Sequence, residues 1–102
     1  MQLITTELAQ RLPAIGGTEH QSDPLVQCKF FYPDFQWTWY VIEFDGDDLF
    51  FGLVDGDFLE LGYFRLSELR ANRGKWGLPI ERDLHFQPQP LSELKATLKP
   101  TG

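Results

Sequence analysis

The spacing of hydrophobic and polar positions changes character along this chain. Near the N-terminus, Leu8 and Leu12 lie four residues apart, which is the spacing of one helix face. From residue 25 onward the period shortens to that of β-strands, and a helical pattern returns after Ser67 and again after Ser92. The pattern predicts a central block of strands with short helices around it, two of them capped by these serines.

Four segments have the alternation or the apolar run that is typical of β-strands. They cover residues 25–32, 37–45, 49–54 and 58–65. Asp-Gly turns separate the last three, and Asp-Gly favours tight hairpins because glycine adopts positive φ without steric cost. The predicted fold is therefore α+β: a four- or five-stranded antiparallel meander sheet with two or three short helices packed on it, in a single domain over residues 1–102.

The strand predicted at residues 37–45 is apolar on both faces. Alternation places Trp37, Trp39 and Val41 on one face. It places Thr38, Tyr40, Ile42 and Phe44 on the other. We therefore expect both faces of the sheet to be covered.

Composition narrows the class of protein. The 102 residues are 42% hydrophobic and 15% aromatic, which is enough for one core and excludes global disorder. No stretch approaches the ~20 apolar residues of a membrane helix, and the N-terminus lacks the features of a secretory signal. Cys28, the single cysteine, lies in an apolar run and is expected to be a buried hydrophobe. These features predict a cytoplasmic protein without a disulfide framework.

The net charge of −6 belongs to one short segment. Residues 43–60 contain seven acids and no base, whereas the rest of the chain has nine bases and eight acids. The segment directly after it, residues 65–82, has a local charge of +3. The negative net charge argues against nucleic-acid binding over the whole surface. The uneven distribution of charge along the chain bears on the choice of partner more than on the fold.

The acidic turns support the leading hypothesis, a non-enzymatic interaction protein. Their carboxylates would attract a basic protein partner by charge complementarity or by partial mimicry of DNA phosphates, and a hydrophobic patch would add specificity. The candidate residues are Asp45, Asp47, Asp48, Asp55 and Asp57.

The basic segment supports an alternative function, local contact with DNA or RNA. Arginine interleaved with an aromatic residue is the composition of stacking platforms for single strands. The candidate residues are Arg65, Arg70, Arg73, Lys75, Trp76 and Arg82. An exposed tryptophan or an unpaired sheet edge would also allow a homodimer.

A small metal-dependent hydrolase is the weaker alternative. Consecutive hairpin turns should lie at opposite ends of the strand between them, ~20 Å apart, so the acidic turns do not form one metal site. Glu43 and Asp45 have the spacing of a carboxylate pair, and Glu81, Asp83 and His85 would share one strand face. No nucleophile elbow, phosphate-binding loop or dinucleotide fingerprint is present, and we expect no metal and no cofactor.

Several segments together resemble a known family. They are YVIEFDGDDLFFGLV from residue 40, ELGYFRLSEL from residue 60 and RGKWGLPIERDLHF from residue 73, with LAQRLP from residue 8 and FFYPDFQWTWY from residue 30. The combination resembles the domain-of-unknown-function family 2958. The resemblance implies a small protein of bacterial plasmids, phages or integrative elements, with accessory roles such as defence evasion, regulation or plasmid maintenance. It implies no activity and no catalytic residues.

Overall fold

The structure is a computed structural model, and it describes residues 1–98. Within these residues there are three short helices and seven strands. In chain order they are α1 (Thr6–Arg11), β1 (Leu25–Val26), β2 (Cys28–Phe31), β3 (Thr38–Phe44), β4 (Leu49–Asp55), β5 (Leu59–Arg65), α2 (Leu66–Ala71), β6 (Glu81–Arg82), β7 (Gln89–Pro90) and α3 (Leu91–Leu98). None of the helices within residues 1–98 is long and apolar enough to cross a membrane.

Five strands form one antiparallel sheet in the order β5-β4-β3-β2-β6, which confirms the predicted α+β class and the meander of β3, β4 and β5. The segment predicted as one strand over residues 25–32 is divided. β1 pairs with β7 in a separate two-stranded sheet, whereas β2 joins the main sheet between β3 and β6. Gln27 separates the two pieces, and its backbone N–H donates to the carbonyl of Val41.

Both faces of the main sheet are covered, as the apolar pattern predicts. Helices α1 and α2 cover one face, where Phe30 and Phe50 are fully buried. Helix α3 covers the opposite face through Leu91 and Leu94, which pack with the buried Ile42. Burial of these side chains drives the three-layer arrangement.

A β-bulge in β3 changes which residues face which layer. The register between β3 and β4 shifts between Val41 and Glu43. As a result, Phe44 stacks on Phe50 at 4.5 Å between ring centroids and belongs to the same core cluster as Val41. The prediction that Phe44 shares a face with Ile42 is therefore wrong, because an extra residue in a strand reverses the alternation beyond it.

Helices α2 and α3 begin at Leu66 and Leu91, two residues earlier than N-caps at Ser67 and Ser92 would place them. Ser67 and Ser92 are therefore not the N-caps but lie inside the first turn. In each case a carboxylate from a distant loop accepts the serine N–H and hydroxyl: Asp48 binds Ser67 at 2.8 and 2.9 Å. Asp23 binds Ser92 at 2.9 and 2.6 Å. These carboxylates satisfy N–H groups that a helix start leaves unpaired.

Candidate interaction surfaces

The first acidic turn, residues 45–48, uses two of its three carboxylates inside the fold. One Asp45 oxygen accepts the N–H groups of Asp47, Asp48 and Leu49 at 2.8, 2.8 and 3.0 Å. Asp48 binds Ser67 and lies 3.6 Å from Nη1 of Arg65. These carboxylates therefore organise the hairpin and the start of α2.

The same hydrogen bonds hold these two groups in their charged form. The backbone N–H groups of the turn, with that of Asp47 first, hold the pKa of Asp45 below its usual value. The backbone and hydroxyl of Ser67 do the same for the pKa of Asp48. Hydrogen bonds donated to a carboxylate stabilise its ionised form, so both carry a negative charge near neutral pH.

The second acidic turn, residues 55–57, lies at the other end of β4, which confirms the predicted separation of the two turns. Within residues 1–98, no hydrogen bond or ion pair of the structure engages the side chains of Asp55 and Asp57, and the same holds for Asp47 of the first turn. Gly56 packs against the ring of Trp37, since a Cβ there would lie 2.8 Å from it. Among the described residues, the carboxylates of this turn therefore have no partner that binding would displace.

Glu43 has a structural role that differs from the predicted one. It is 3% exposed, and its two oxygens accept the N–H groups of Gly16 and Thr18 at 2.8 and 2.9 Å and the Thr18 hydroxyl. Burial alone would raise the pKa of Glu43, but the hydrogen bonds from Thr18 and Gly16 outweigh it and lower the pKa. Glu43 and Asp45 thus serve separate hydrogen-bond networks, and the structure does not join them as a carboxylate pair.

An aromatic groove of about 560 Å³ lies on the sheet face that α1 and α2 cover. Six of its lining residues are aromatic: Tyr32, Phe35, Trp37, Trp39, Tyr63 and Phe64. Glu60 of β5 and Glu68 of α2 also line it, and both are exposed. Lysine, arginine and histidine are absent from its described lining.

The rings of the groove pack on one another. Ring centroids are 5.5 Å apart for Tyr32 and Phe35, 5.4 Å for Tyr32 and Trp39, and 6.1 Å for Trp37 and Trp39. Trp39 is buried and Trp37 half-buried, whereas Phe35 is 52% exposed. The sequence indicates the two tryptophans on one face. Phe35 lies two residues before Trp37 but outside the predicted strands, and Glu68 comes from a distant segment, so neither carries a signal that would place it there.

The basic segment is divided by the structure. Arg65 lies beside Asp48, and Nη1 of Arg82 donates to the backbone carbonyls of Gln2 and Leu3 at 3.1 and 2.8 Å. These two arginines therefore support the fold. The other predicted residues, Arg70, Arg73, Lys75 and Trp76, are exposed.

Trp76 is 76% exposed on a turn that Asp34 holds in place. One Asp34 oxygen accepts the backbone N–H of Trp76 at 2.6 Å and that of Leu78 at 3.4 Å. The ammonium of Lys75 lies 5.7 Å from the centroid of the Trp76 ring, within the range of a cation–π contact. This turn presents a cation and an aromatic ring together to solvent.

The other sequence candidates are not assembled into a reactive site. Cys28 is buried, as predicted, and burial raises the pKa of its thiol to about 12, so it is protonated at neutral pH. β6 ends at Arg82, and Asp83 accepts the N–H of His85 and lies 3.8 Å from Lys29, so the predicted shared strand face of Glu81, Asp83 and His85 does not form. Within residues 1–98 the structure contains no group of three or more His, Cys, Asp or Glu residues that could hold a metal ion.

Fold and surfaces together define a small α+β domain, a five-stranded antiparallel sheet with an acidic hairpin and an aromatic groove. The pattern of the family described as "protein of unknown function (DUF2958)" matches residues 3–101, and the chain belongs to this family, which confirms the resemblance. No curated protein matches the chain, and no solved structure does.

Proposed function

We propose that this protein is a non-enzymatic interaction protein that engages a basic protein partner through its acidic turns. The observation that carries the proposal is the second acidic turn, whose carboxylates Asp55 and Asp57 are charged groups without a structural partner among the described residues. Unpaired surface carboxylates attract a cationic surface over about a Debye length, which is ~10 Å at moderate salt.

The five acids of the two turns contribute unequally to this attraction. Asp47, Asp55 and Asp57 are available for direct contact with a partner. Asp45 and Asp48 contribute their charge to the field while their oxygens hold the turn and the start of α2. The structure thus supports a contact surface centred on the second turn, with the first turn adding long-range attraction.

The biological setting belongs to the same proposal. We infer an accessory protein of a bacterial mobile genetic element, as the resemblance implies, acting in the cytoplasm on a protein of its host or of the element. A basic partner fits that setting, because proteins that handle DNA carry basic surfaces.

The test compares two triple variants that change the net charge equally. D47N/D55N/D57N removes the available carboxylates, and E7Q/E19Q/E93Q removes three exposed carboxylates elsewhere. Binding to a lysine-rich peptide is measured by calorimetry at about 20 mM and about 200 mM salt, where screening differs strongly. We expect the Asn variant to lose about ten-fold in affinity and most of its salt dependence, and the Gln variant to stay close to the parent protein.

An equal loss of affinity in the two variants would show that total charge, rather than the position of the charges on the turns, governs binding. Unchanged affinity and salt dependence in the Asn variant would overturn the proposal. The same pair of variants, used as bait in a lysate of the host, identifies the partner by mass spectrometry.

Local nucleic-acid binding is a second candidate, favoured by the exposed Trp76 beside Lys75. Arg65 and Arg82 support the fold, so changing them would also affect stability. The informative variants are therefore Arg70→Ala, Lys75→Ala and Trp76→Ala. We expect each to weaken retention on single-stranded DNA or RNA at low salt by about three-fold or more. No retention of the parent protein on either nucleic acid would remove this candidate.

A further inference from the structure

The aromatic groove meets the second acidic turn at one point of the surface. Gly56 of the second turn packs on Trp37, and Trp37 lines the groove. Glu60 follows the same turn and also lines the groove. A cationic segment that is attracted to the second turn would therefore lie next to the groove.

We propose that the aromatic groove binds the guanidinium group of an arginine side chain presented by the basic partner. The inference rests on the proposed function, since the same partner supplies the arginine. It adds a binding site that is separate from the turns and a preference for one kind of cation.

The lining of the groove matches a cation. Aromatic faces carry partial negative charge and attract cations within about 6 Å of the ring centroid. Glu60 and Glu68 add two full negative charges, and no base of the described lining offsets them. An anionic or purely apolar group would leave these carboxylates without a counter-charge at the site.

The groove is preformed, which lowers the cost of binding. Its rings are held by contacts with one another and by the packing of Trp37 on Gly56. Its volume of about 560 Å³ is within the usual range of ligand sites and exceeds the volume of one guanidinium, so it also accommodates the aliphatic stem and flanking backbone. Side chains that are already ordered lose less conformational entropy when a ligand arrives.

Arginine fits this groove better than lysine. The guanidinium is planar, so it stacks on a ring while its edge donates several hydrogen bonds to carboxylates. Rings and carboxylates line the same groove, which permits both contacts at once. An ammonium group is more strongly hydrated and cannot stack, so the groove should discriminate between two cations that the acidic turns attract equally.

The experiment compares an arginine-rich and a lysine-rich peptide of equal length and charge. We expect the parent protein to prefer the arginine peptide by about five-fold. E60Q/E68Q should abolish that preference, and E7Q/E93Q, which neutralises two exposed glutamates in first turns of helices, should retain it. Phe35→Ala removes an exposed ring without changing charge and should reduce the preference as well.

The outcomes separate this inference from the proposed function. If both peptides bind the parent protein equally, or if E60Q/E68Q keeps the preference, the groove site is overturned and binding at the turns stands. If neither peptide binds, the proposed function is overturned together with the groove. D55N/D57N should weaken both peptides alike and keep the arginine preference, because it alters attraction and leaves the groove intact.

Discussion

The hairpin turns at the two ends of β4 carry the same Asp-Gly-Asp triplet, yet their carboxylates have different surroundings. In the first, Asp45 accepts three backbone N–H groups, and Gly46 adopts a φ of +87°. In the second, the carboxylates have no hydrogen bond among the described residues, and Gly56 instead packs on Trp37. One triplet therefore builds a turn, while the other presents charge beside an aromatic ring.

This difference shows that charge density and charge availability are separate properties. The segment of residues 43–60 holds seven acids, but the fold uses Glu43, Asp45 and Asp48 internally. A carboxylate that already accepts several hydrogen bonds must break them before it can contact a partner directly. Only the remaining acids are free to form contacts at little cost.

The largest expected effect comes from Glu43→Gln, compared with Asp57→Asn. An amide at position 43 cannot accept at both of its ends, so the N–H groups of Gly16 and Thr18 cannot both be satisfied. We expect the free energy of unfolding to fall by about 2 kcal/mol for Glu43→Gln and by less than about 0.5 kcal/mol for Asp57→Asn. Urea denaturation at neutral pH measures both. Similar values for the two variants would contradict the division into structural and available acids.

Acid sensitivity should also reveal the acids that the fold uses. The folded-state pKa values of Glu43, Asp45 and Asp48 lie below their ordinary values, so folding favours their ionised forms. Their contribution to stability is complete above the unfolded pKa of about 4 and is lost as the pH falls through the lower folded pKa. The free energy of unfolding should therefore decline from about pH 5 downward.

A double variant sharpens this pH prediction. In D45N/D48N the acid decline should be shallower than in the parent protein, because two of the responsible groups no longer titrate. Urea titrations at a series of pH values provide the comparison, and a decline as steep as that of the parent protein would argue against it.

The smallest effects are expected at the glycines of the two turns. Gly46→Ala meets no atom within 4 Å but places a side chain at positive φ, which should cost about 1 kcal/mol. Gly56→Ala instead brings a Cβ to 2.8 Å from the Trp37 ring, which must move. In a Trp76→Phe background, only Gly56→Ala should change tryptophan emission. A change of emission in Gly46→Ala would mean that the turns are not independent.

Much of the fold is predictable because its signals are local. Alternation and Asp-Gly turns identify β3, β4 and β5, since both depend on neighbouring residues. The bulge after Val41 is not predictable in this way. It turns Glu43 toward Gly16 and Thr18, a contact between segments more than twenty residues apart. The same is true of the pairing of β1 with β7.

The candidate site is predictable in part for the same reason. The charge count locates both acidic turns, but Ser67, which donates hydrogen bonds to Asp48, is 19 residues away along the chain. The aromatic groove combines rings from residues 32–39 with Glu60 of β5 and Glu68 of α2, so only the tertiary structure reveals it. The sequence shows where charged residues lie along the chain, but long-range contacts decide whether a carboxylate is available to a partner.

The carboxylates of Asp48 and Asp23, bound to Ser67 and Ser92, have a consequence for the order of folding. Helices α2 and α3, of six and eight residues, are too short to persist alone in water. Each receives its starting hydrogen bonds from a carboxylate that is brought close only when distant parts of the chain have met. We therefore expect the helices to form only after the strands have paired, and the molecule to fold and unfold as one cooperative unit.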